Sequence, residues 1–424
     1  MVLFGLSLGT NIILAHSLGP AGRGAYAIAV LFPSILTLLA SLGVGAANVY
    51  HVSRGTLDKR HVVAVSTIAA ILLGGISYAG VLALTRVAGG STVFGIQSSY
   101  LLLSCLSVPF TLAAYFMQGV LQGERRFLAF NAVLVCQYLS LFVMLALILL
   151  APGDRVRESI LAWTASAVLS GLLALALVGV RTRPSSSLHP ATVRAIFRFG
   201  SLTYLGSLTS FINYRFDLLL VNAFVGATQA GLYAVGAGLA EVIWFLPNSA
   251  SIALAPRAAA ASEIDAAELS AQASRSITAV TLLCALLMAP LASPAVMLFF
   301  GSAFAASVDA VWLLLPGIVT FSTWKIFSAY LVGRNMLKAD LLAASVAMAV
   351  TLALDLLLIP RYGFRGAAVA SSAAYTVAML VDLWWVRRRS GLSLSRWLIP
   401  VRSDAEPVVS RLRPLLARIR PDAA

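Results

Sequence analysis

The chain has 424 residues, 60% of them hydrophobic and only 11% charged, with a net charge of +14. A soluble globular chain carries about 25% charged residues, so outside a bilayer this much apolar surface has nowhere to go. In a soluble protein the positive charge would suggest nucleic acid. Here the Lys and Arg residues sit in short loops between apolar runs, and that placement excludes a nucleic-acid partner.

A membrane-spanning helix needs about 20 mostly apolar residues. In chain order, twelve such runs are predicted at 2–17, 26–50, 62–86, 99–122, 127–150, 159–180, 200–224, 233–256, 277–300, 308–331, 340–359 and 366–386. Most contain Gly or Ser, which let helices approach closely in lipid. Pro33, Pro109, Pro247, Pro290 and Pro316 fall inside runs and predict kinks. Cys105, Cys136 and Cys284 lie in apolar runs without metal-ligand spacing, so they read as packing residues. The first run begins at Met1 without a basic leader, so no cleavable signal peptide is expected.

Orientation follows from the basic residues. With the N-terminus inside, the inner loops and the tail hold most of the 30 Lys and Arg residues, from Arg54, Lys59 and Arg60 to Arg387, Arg388 and Arg389. Both termini are therefore expected in the cytoplasm.

The two halves of the chain resemble each other. Gly19, Gly24, Tyr26 and Ala27 align with Gly226, Gly231, Tyr233 and Ala234 at a shift of 207 residues, and Pro109 aligns with Pro316 at the same shift. One residue out of register, Leu149-Leu150-Ala151-Pro152 matches Leu357-Leu358-Ile359-Pro360, and Arg157 matches Arg365. Six spans per half is an even number, so the repeat is parallel, with its axis along the membrane normal. The predicted fold is an all-α polytopic membrane protein. It has about 12 spans in two six-helix lobes around a central cavity, the arrangement that alternating access needs.

The expected divisions are 1–180 for the N-terminal lobe, 181–200 for a cytoplasmic interfacial linker, 201–386 for the C-terminal lobe and 387–424 for a basic tail. In the linker, Pro190 is suited to start a helix. Val193, Ile196 and Phe197 would then face the bilayer, with Arg194 and Arg198 toward water. In the tail, apolar residues from Val408 to Ile419 recur at helical spacing, which suits the anionic inner leaflet.

Three stretches carry a family resemblance: Leu18 to Tyr26, Asn213-Tyr214-Arg215-Phe216-Asp217 with Gly226 to Ala234, and Ile359 to Ala368. They resemble the polysaccharide and O-antigen repeat-unit flippases, in the superfamily that also holds multidrug antiporters and lipid II flippases. The resemblance spans essentially the whole chain. It implies movement of an undecaprenyl-diphosphate-linked oligosaccharide from the inner to the outer leaflet of a bacterial plasma membrane. The head group would enter a cationic cavity while the lipid tail stays in the bilayer. The alternative is a multidrug or cation antiporter of the same superfamily. Lipid II flippases carry two further helices, and proton-coupled antiporters carry an acid on the first helix. Residues 2–17 contain none.

A charge at the bilayer centre costs about 2.5–3.5 kcal/mol on the insertion scale, so embedded charges should face the lobe interior or water. Arg215, Asp217, Glu241, Lys325 and Asp355 lie within spans, all in the second half. Arg215 can fork onto a phosphate and never deprotonates. A salt bridge to Glu241 is the competing reading. Asp217 and Glu241 are candidates for cation coupling or ion pairing, with a proton or sodium ion as the coupling ion and no other cofactor. Lys325 is either cavity-lining or snorkelling. Asp355 is expected to pair with Arg361 or Arg365, and Asp382 with Arg387–Arg389 at the inner surface.

Asn213, Asn48, Gln118 and Gln122 could hydrogen-bond sugar hydroxyls or tie helices together. Arg23, in the predicted first loop, either guides the head group or is a turn residue. His16 reads as an interface residue. No phosphate-binding loop, catalytic triad or paired catalytic carboxylates in a water-facing loop is present, so no enzyme is expected. The expected partners are the lipid-linked oligosaccharide, membrane lipids and a polysaccharide polymerase complex.

Overall fold

A bilayer offers backbone N–H and C=O groups no water, so apolar runs satisfy these groups within helices. The computed structural model describes residues 2–87, 92–93, 95–148, 153–182, 185 and 189–399. The tail helix expected beyond Val408 and the Leu149–Pro152 landmark of the repeat lie outside them.

The first half runs α1 (Val2–Ser41), α2 (Val44–Arg54), α3 (Lys59–Val87), α4 (Ser98–Cys105), α5 (Val108–Gly123), α6 (Phe127–Ile148) and α7 (Arg155–Gly179). A short antiparallel pair, β1 (Thr92–Val93) and β2 (Ile96–Gln97), precedes α4 with Thr92 opposite Gln97. The second half runs α8 (Pro190–Val225), α9 (Ala227–Ala240), a 3-10 turn at Glu241–Trp244, α10 (Phe245–Ala260), α11 (Glu263–Phe300), α12 (Ser307–Gly333), α13 (Leu337–Tyr362), α14 (Phe364–Ser390) and α15 (Leu394–Leu398). With α1 divided at Gly19, and with α2, α5 and α10 continuing the segments before them, the described residues give six spans in each half. The chain is a multi-pass membrane protein with the two-fold six-helix architecture read from its sequence.

Two corrections to the predicted boundaries matter. The expected loop between the first two spans is a break of one residue. Gly19 adopts φ 63°, ψ −179° and α1 resumes at Pro20. The expected interfacial linker helix is continuous with the seventh span, as α8. On the apolar face expected to meet lipid, Ile196 is fully buried while Val193 and Phe197 are half-buried, and the neighbouring Phe199 ring stacks on Tyr50 of α2 at 4.2 Å. Arg194 and Arg198 do point outward.

The chain forms two compact units, Met1–Val235 with Met297–Phe304, and Gly236–Val296 with Ala305–Ala424. Within the first unit the sequence repeat becomes a geometric one. Gly226 breaks the chain between α8 and α9 with φ 87°, ψ 172°, matching Gly19. Five residues beyond each break, Gly24 and Gly231 meet backbone to backbone. A methyl group on Gly24 would sit 1.7 Å from the Ala227 carbonyl oxygen, and one on Gly231 would sit 1.9 Å from the Pro20 oxygen. Pro20 and Ala227 are themselves 207 residues apart, so the contact is reciprocal.

A second repeated feature is the turn after each half's fourth span. Arg125 and Asn335 both take positive φ, 58° and 59°. Arg126 N–H then donates to Leu121 O at 2.9 Å, as Met336 N–H does to Leu331 O at 2.8 Å. The first of these turns holds Glu124, which accepts from Lys59 on α3 and from Arg126 at 3.2 Å. Burial pushes the Glu124 carboxyl up, but the hydrogen bonds and charges of Lys59 and Arg126 outweigh it and hold it below its ordinary value. In the second unit, Trp397 of α15 is fully buried against Phe327, Tyr330 and Val386, closing that end of the helices. Arg396 beside it pairs with Glu268 at 2.8 Å.

Overpacking costs about 1–3 kcal/mol where neighbours can give way, and more is expected where the obstacle is backbone. Gly24→Ala and Gly231→Ala should each lower the melting temperature of the purified protein by several degrees. Gly75→Ala, which meets nothing within 4 Å, should leave it unchanged, and equal melting of all three would refute the packing argument. A depressed carboxyl stabilises above its unfolded-state pKa, and the contribution is lost as pH falls through the folded one. Thermal stability should therefore drop when pH is lowered from neutral into the carboxylate range, near about 4, and Glu124→Gln should shrink that drop.

Candidate functional site

In the first unit, polar groups gather around the Gly19 break. Gly19 supplies a backbone conformation that side chains resist, and four residues later the chain places Arg23 on α1. Arg23 is only 8% exposed, so it is a buried helical residue and not the loop residue its glycine-rich surroundings suggest. Its guanidinium donates to Asn11 Oδ1 at 2.7 Å and lies 5.6 Å from the Tyr26 ring centre. Its Nε has no partner, and no carboxylate among the described residues pairs with it. A cation in this position retains affinity for an anion.

At the matching break, the second repeat carries the opposite charge. Asp217 on α8 is 5% exposed and accepts from the Tyr233 hydroxyl on α9 and from Leu218 N–H at 2.6 Å. Tyr233 is the repeat counterpart of Tyr26, and Asp217 stands where Thr10 stands in the first half. Two residues before Asp217, Arg215 is exposed. Asn213 also belongs to α8, and its side chain lies outside the described residues.

The uncharged candidates separate. Asn48 on α2 is fully buried, and its amide donates to Ser66 Oγ at 2.8 Å and to Phe116 O at 3.0 Å. It ties α2 to α3 and α5. On α5, Gln118 is half-buried and Gln122 exposed. His16 is exposed and bonds back to Ile12 O at 3.0 Å.

Sequence reasoning missed a hydroxyl-lined cavity of about 210 Å³ in the first unit, bordered by Ser34, Thr37, Ser41, Tyr115 and Tyr204. The signal was present: Ser34, Thr37 and Ser41 recur at three- and four-residue intervals, one face of a helix. Tyr204 donates to Leu39 O at 3.2 Å, which holds its ring at the rim.

In the second unit, Lys325 on α12 is half-buried with its ammonium 5.3 Å from the Phe321 ring centre. Trp244 stacks on that ring at 4.5 Å and Tyr375 meets it edge-on at 5.2 Å. Trp244 ends the 3-10 turn that begins at Glu241, itself half-buried. A 3-10 stretch inside a long helix often marks a hinge. Two of the arginines named for these pairings are engaged elsewhere. Arg365 pairs with Asp309, Nε to Oδ2 at 2.8 Å, and not with Asp355, which is fully buried. Asp382 is also fully buried, while Arg387–Arg389 are exposed and Arg389 pairs with Glu263.

Residues 1–262 match the family model described as "Polysaccharide biosynthesis protein". The chain belongs to this family. Among curated proteins none matches it. Of solved structures, the chain is similar to a lipid II flippase, MurJ, in an inward closed conformation. The TM-score is 0.74 at 14% identity over 99% of this chain and 92% of that one. It is also similar to an inward-facing multidrug resistance MATE family transporter of the MOP superfamily. There the TM-score is 0.73 at 18% identity over 91% of this chain and 94% of that one. Identities this low establish the fold.

For this member of the polysaccharide biosynthesis family, Arg23 and Asn48 define two kinds of buried polar residue. Asn48 spends its donors inside the protein, whereas Arg23 keeps donor capacity. Removing one partner of a buried hydrogen bond costs about 1–3 kcal/mol. Asn48→Ala, which strands Ser66 Oγ and Phe116 O, is therefore expected to lower membrane levels and melting temperature more than Arg23→Ala, which strands only the half-buried Asn11 Oδ1. The reverse order, measured by fluorescence-detected size exclusion, would reassign the two residues.

Proposed function

We propose that the chain is a flippase carrying an oligosaccharide linked to polyprenyl diphosphate from the inner to the outer leaflet of a bacterial plasma membrane, by alternating access and with both termini cytoplasmic. The observation that carries this reading is the buried guanidinium of Arg23, which lacks a carboxylate partner among the described residues. A planar guanidinium suits phosphate oxygens and stays charged at every physiological pH. Arg215, exposed on α8, supplies a second cation of the same kind.

The hydroxyl-lined cavity around Thr37 and Tyr115 fits the other end of such a substrate, because sugars present hydroxyls and apolar ring faces. The family is one of polysaccharide biosynthesis, and one structural relative is a lipid II flippase. A polyprenyl tail needs lipid contact throughout, and exposed Leu282, Leu283, Leu286 and Leu287 on α11 give the protein an apolar outer face.

The antiporter alternative has less support. The aromatic group of Trp244, Phe321 and Tyr375 could receive an organic cation, but Lys325 already stands over Phe321. A coupling proton or sodium ion and a polymerase partner belong to the same proposal.

In a host deleted for the gene, polyprenyl-diphosphate-linked oligosaccharide should accumulate in lipid extracts and surface polysaccharide should fall, both read by mass spectrometry. A charge-assisted hydrogen bond contributes about 1.5–3 kcal/mol. Arg23→Ala at normal membrane level should therefore cut export by roughly 10- to 100-fold, with Arg23→Lys between it and wild type. Full export by Arg23→Ala would remove the observation on which the proposal rests.

A further inference from the structure

The second unit contains an acid that the flippase reading does not use. Asp382 lies in the interior of α14 and is fully buried. Neither of its carboxyl oxygens has a hydrogen-bond partner among the described residues. Packed against α14 are α12 and α13. From α12 the Trp324 indole faces Asp382, and from α13 the Asp340 carboxyl does. Trp324 Nε1 is likewise buried and without a partner. Asp340 in turn bonds to Ser328 and feels the charge of Lys325, both on α12. The nearest arginines along α14, Arg387–Arg389, are exposed.

An ionised carboxylate buried without a hydrogen bond is strongly disfavoured. A second carboxyl beside it adds repulsion, because like charges sharing a site do not both ionise. A neutral carboxylic acid removes the cost. It needs no cation, and its carbonyl oxygen can still accept from the Trp324 N–H that faces it. Among the described residues no third acid, His or Cys joins the pair. The chemistry therefore favours a proton over a metal ion, which would demand more oxygen ligands.

We propose that Asp382 is a proton-binding site in the interior of the second unit, occupied in the conformation seen here and flanked by Asp340 and the Trp324 indole. Loss of the proton creates a carboxylate that must find a donor. Trp324 Nε1 on α12 already faces it, and a tighter bond from that N–H to the carboxylate ties α12 to α14. Proton binding at Asp382 thereby becomes a two-state element of the second unit. The proposal concerns proton binding, and only its consequence for transport rests on the flippase reading.

Infrared spectroscopy of the full chain in lipid nanodiscs tests it without any transport assay. Protonated carboxyls give a C=O band that shifts in heavy water and that carboxylates lack. At neutral pH the wild-type band should exceed that of Asp382→Asn, while Asp265→Asn, a change at an exposed residue, should leave it intact. Asn is isosteric with the neutral acid, so Asp382→Asn should reach wild-type membrane levels. Should that variant not accumulate, Asp382→Glu serves, since the band must then move rather than vanish. Identical bands in wild type and variant at neutral pH would overturn the proposal. So would loss of the Asp382 band on adding sodium at constant pH, which would assign the site to a metal ion. In export assays Asp382→Asn should flatten the pH profile. A missing Asp382 band with intact export would sink this inference alone, while a present band with no export of any lipid-linked glycan would sink only the flippase reading.

Discussion

The contact between Gly24 and Gly231 constrains everything built around it. Two backbones touch there with no side chain between them, and each glycine lies against the carbonyl of the other's preceding turn, at Ala227 and Pro20. Such an approach tolerates only hydrogen at Cα. It also requires each chain to enter at a fixed angle, and the breaks at Gly19 and Gly226 supply that angle. In lipid there is little hydrophobic force between helices, so close packing of small residues carries association. The repeat is therefore most strongly retained where its two copies meet.

Symmetry in the backbone makes asymmetry in the side chains informative. Tyr26 and Tyr233 occupy equivalent positions, yet their neighbours differ in charge. Tyr26 lies beside the Arg23 guanidinium, and Ala230 stands at the position equivalent to Arg23. Tyr233 donates to the Asp217 carboxylate, and Thr10 stands at the position equivalent to Asp217. One copy holds its charge satisfied by a hydroxyl and a backbone N–H. The other holds a cation with capacity to spare. The two copies of the break thus share a backbone and differ in the charge they hold.

Much of the architecture was legible because hydropathy reports on the bilayer directly. The twelve runs and the shift of 207 residues follow from composition and spacing. The burial of Arg23 was not legible, because Gly and Pro near it signal a loop in soluble chains, whereas membrane helices tolerate both. The linker misled for a related reason. Val193, Ile196 and Phe197 lie on a helix near basic residues, which suits a lipid surface, but Ile196 is fully buried and the helix runs on into the seventh span. Asp382 shows the limit of reading charge by sequence distance. Three arginines follow it within two turns, yet positions five to seven residues on lie beyond the i+3 and i+4 neighbours a helix brings together. Packing partners on α12 and α13, invisible in the local sequence, decide its state.

Arg23 and Asp382 answer the same cost in opposite ways. Each is a charged residue type placed where a bilayer protein has little means to solvate charge. Arginine cannot shed its proton, so its burial must be relieved by a hydrogen bond, here donated to Asn11 Oδ1. An aspartate can take up a proton, so its burial is relieved from within, and the relief reverses when the surroundings change. A permanent cation is suited to a partner whose charge is also permanent, and a titratable acid to surroundings that change. The first lies in one compact unit and the second in the other, so the two solutions to buried charge draw on different helices.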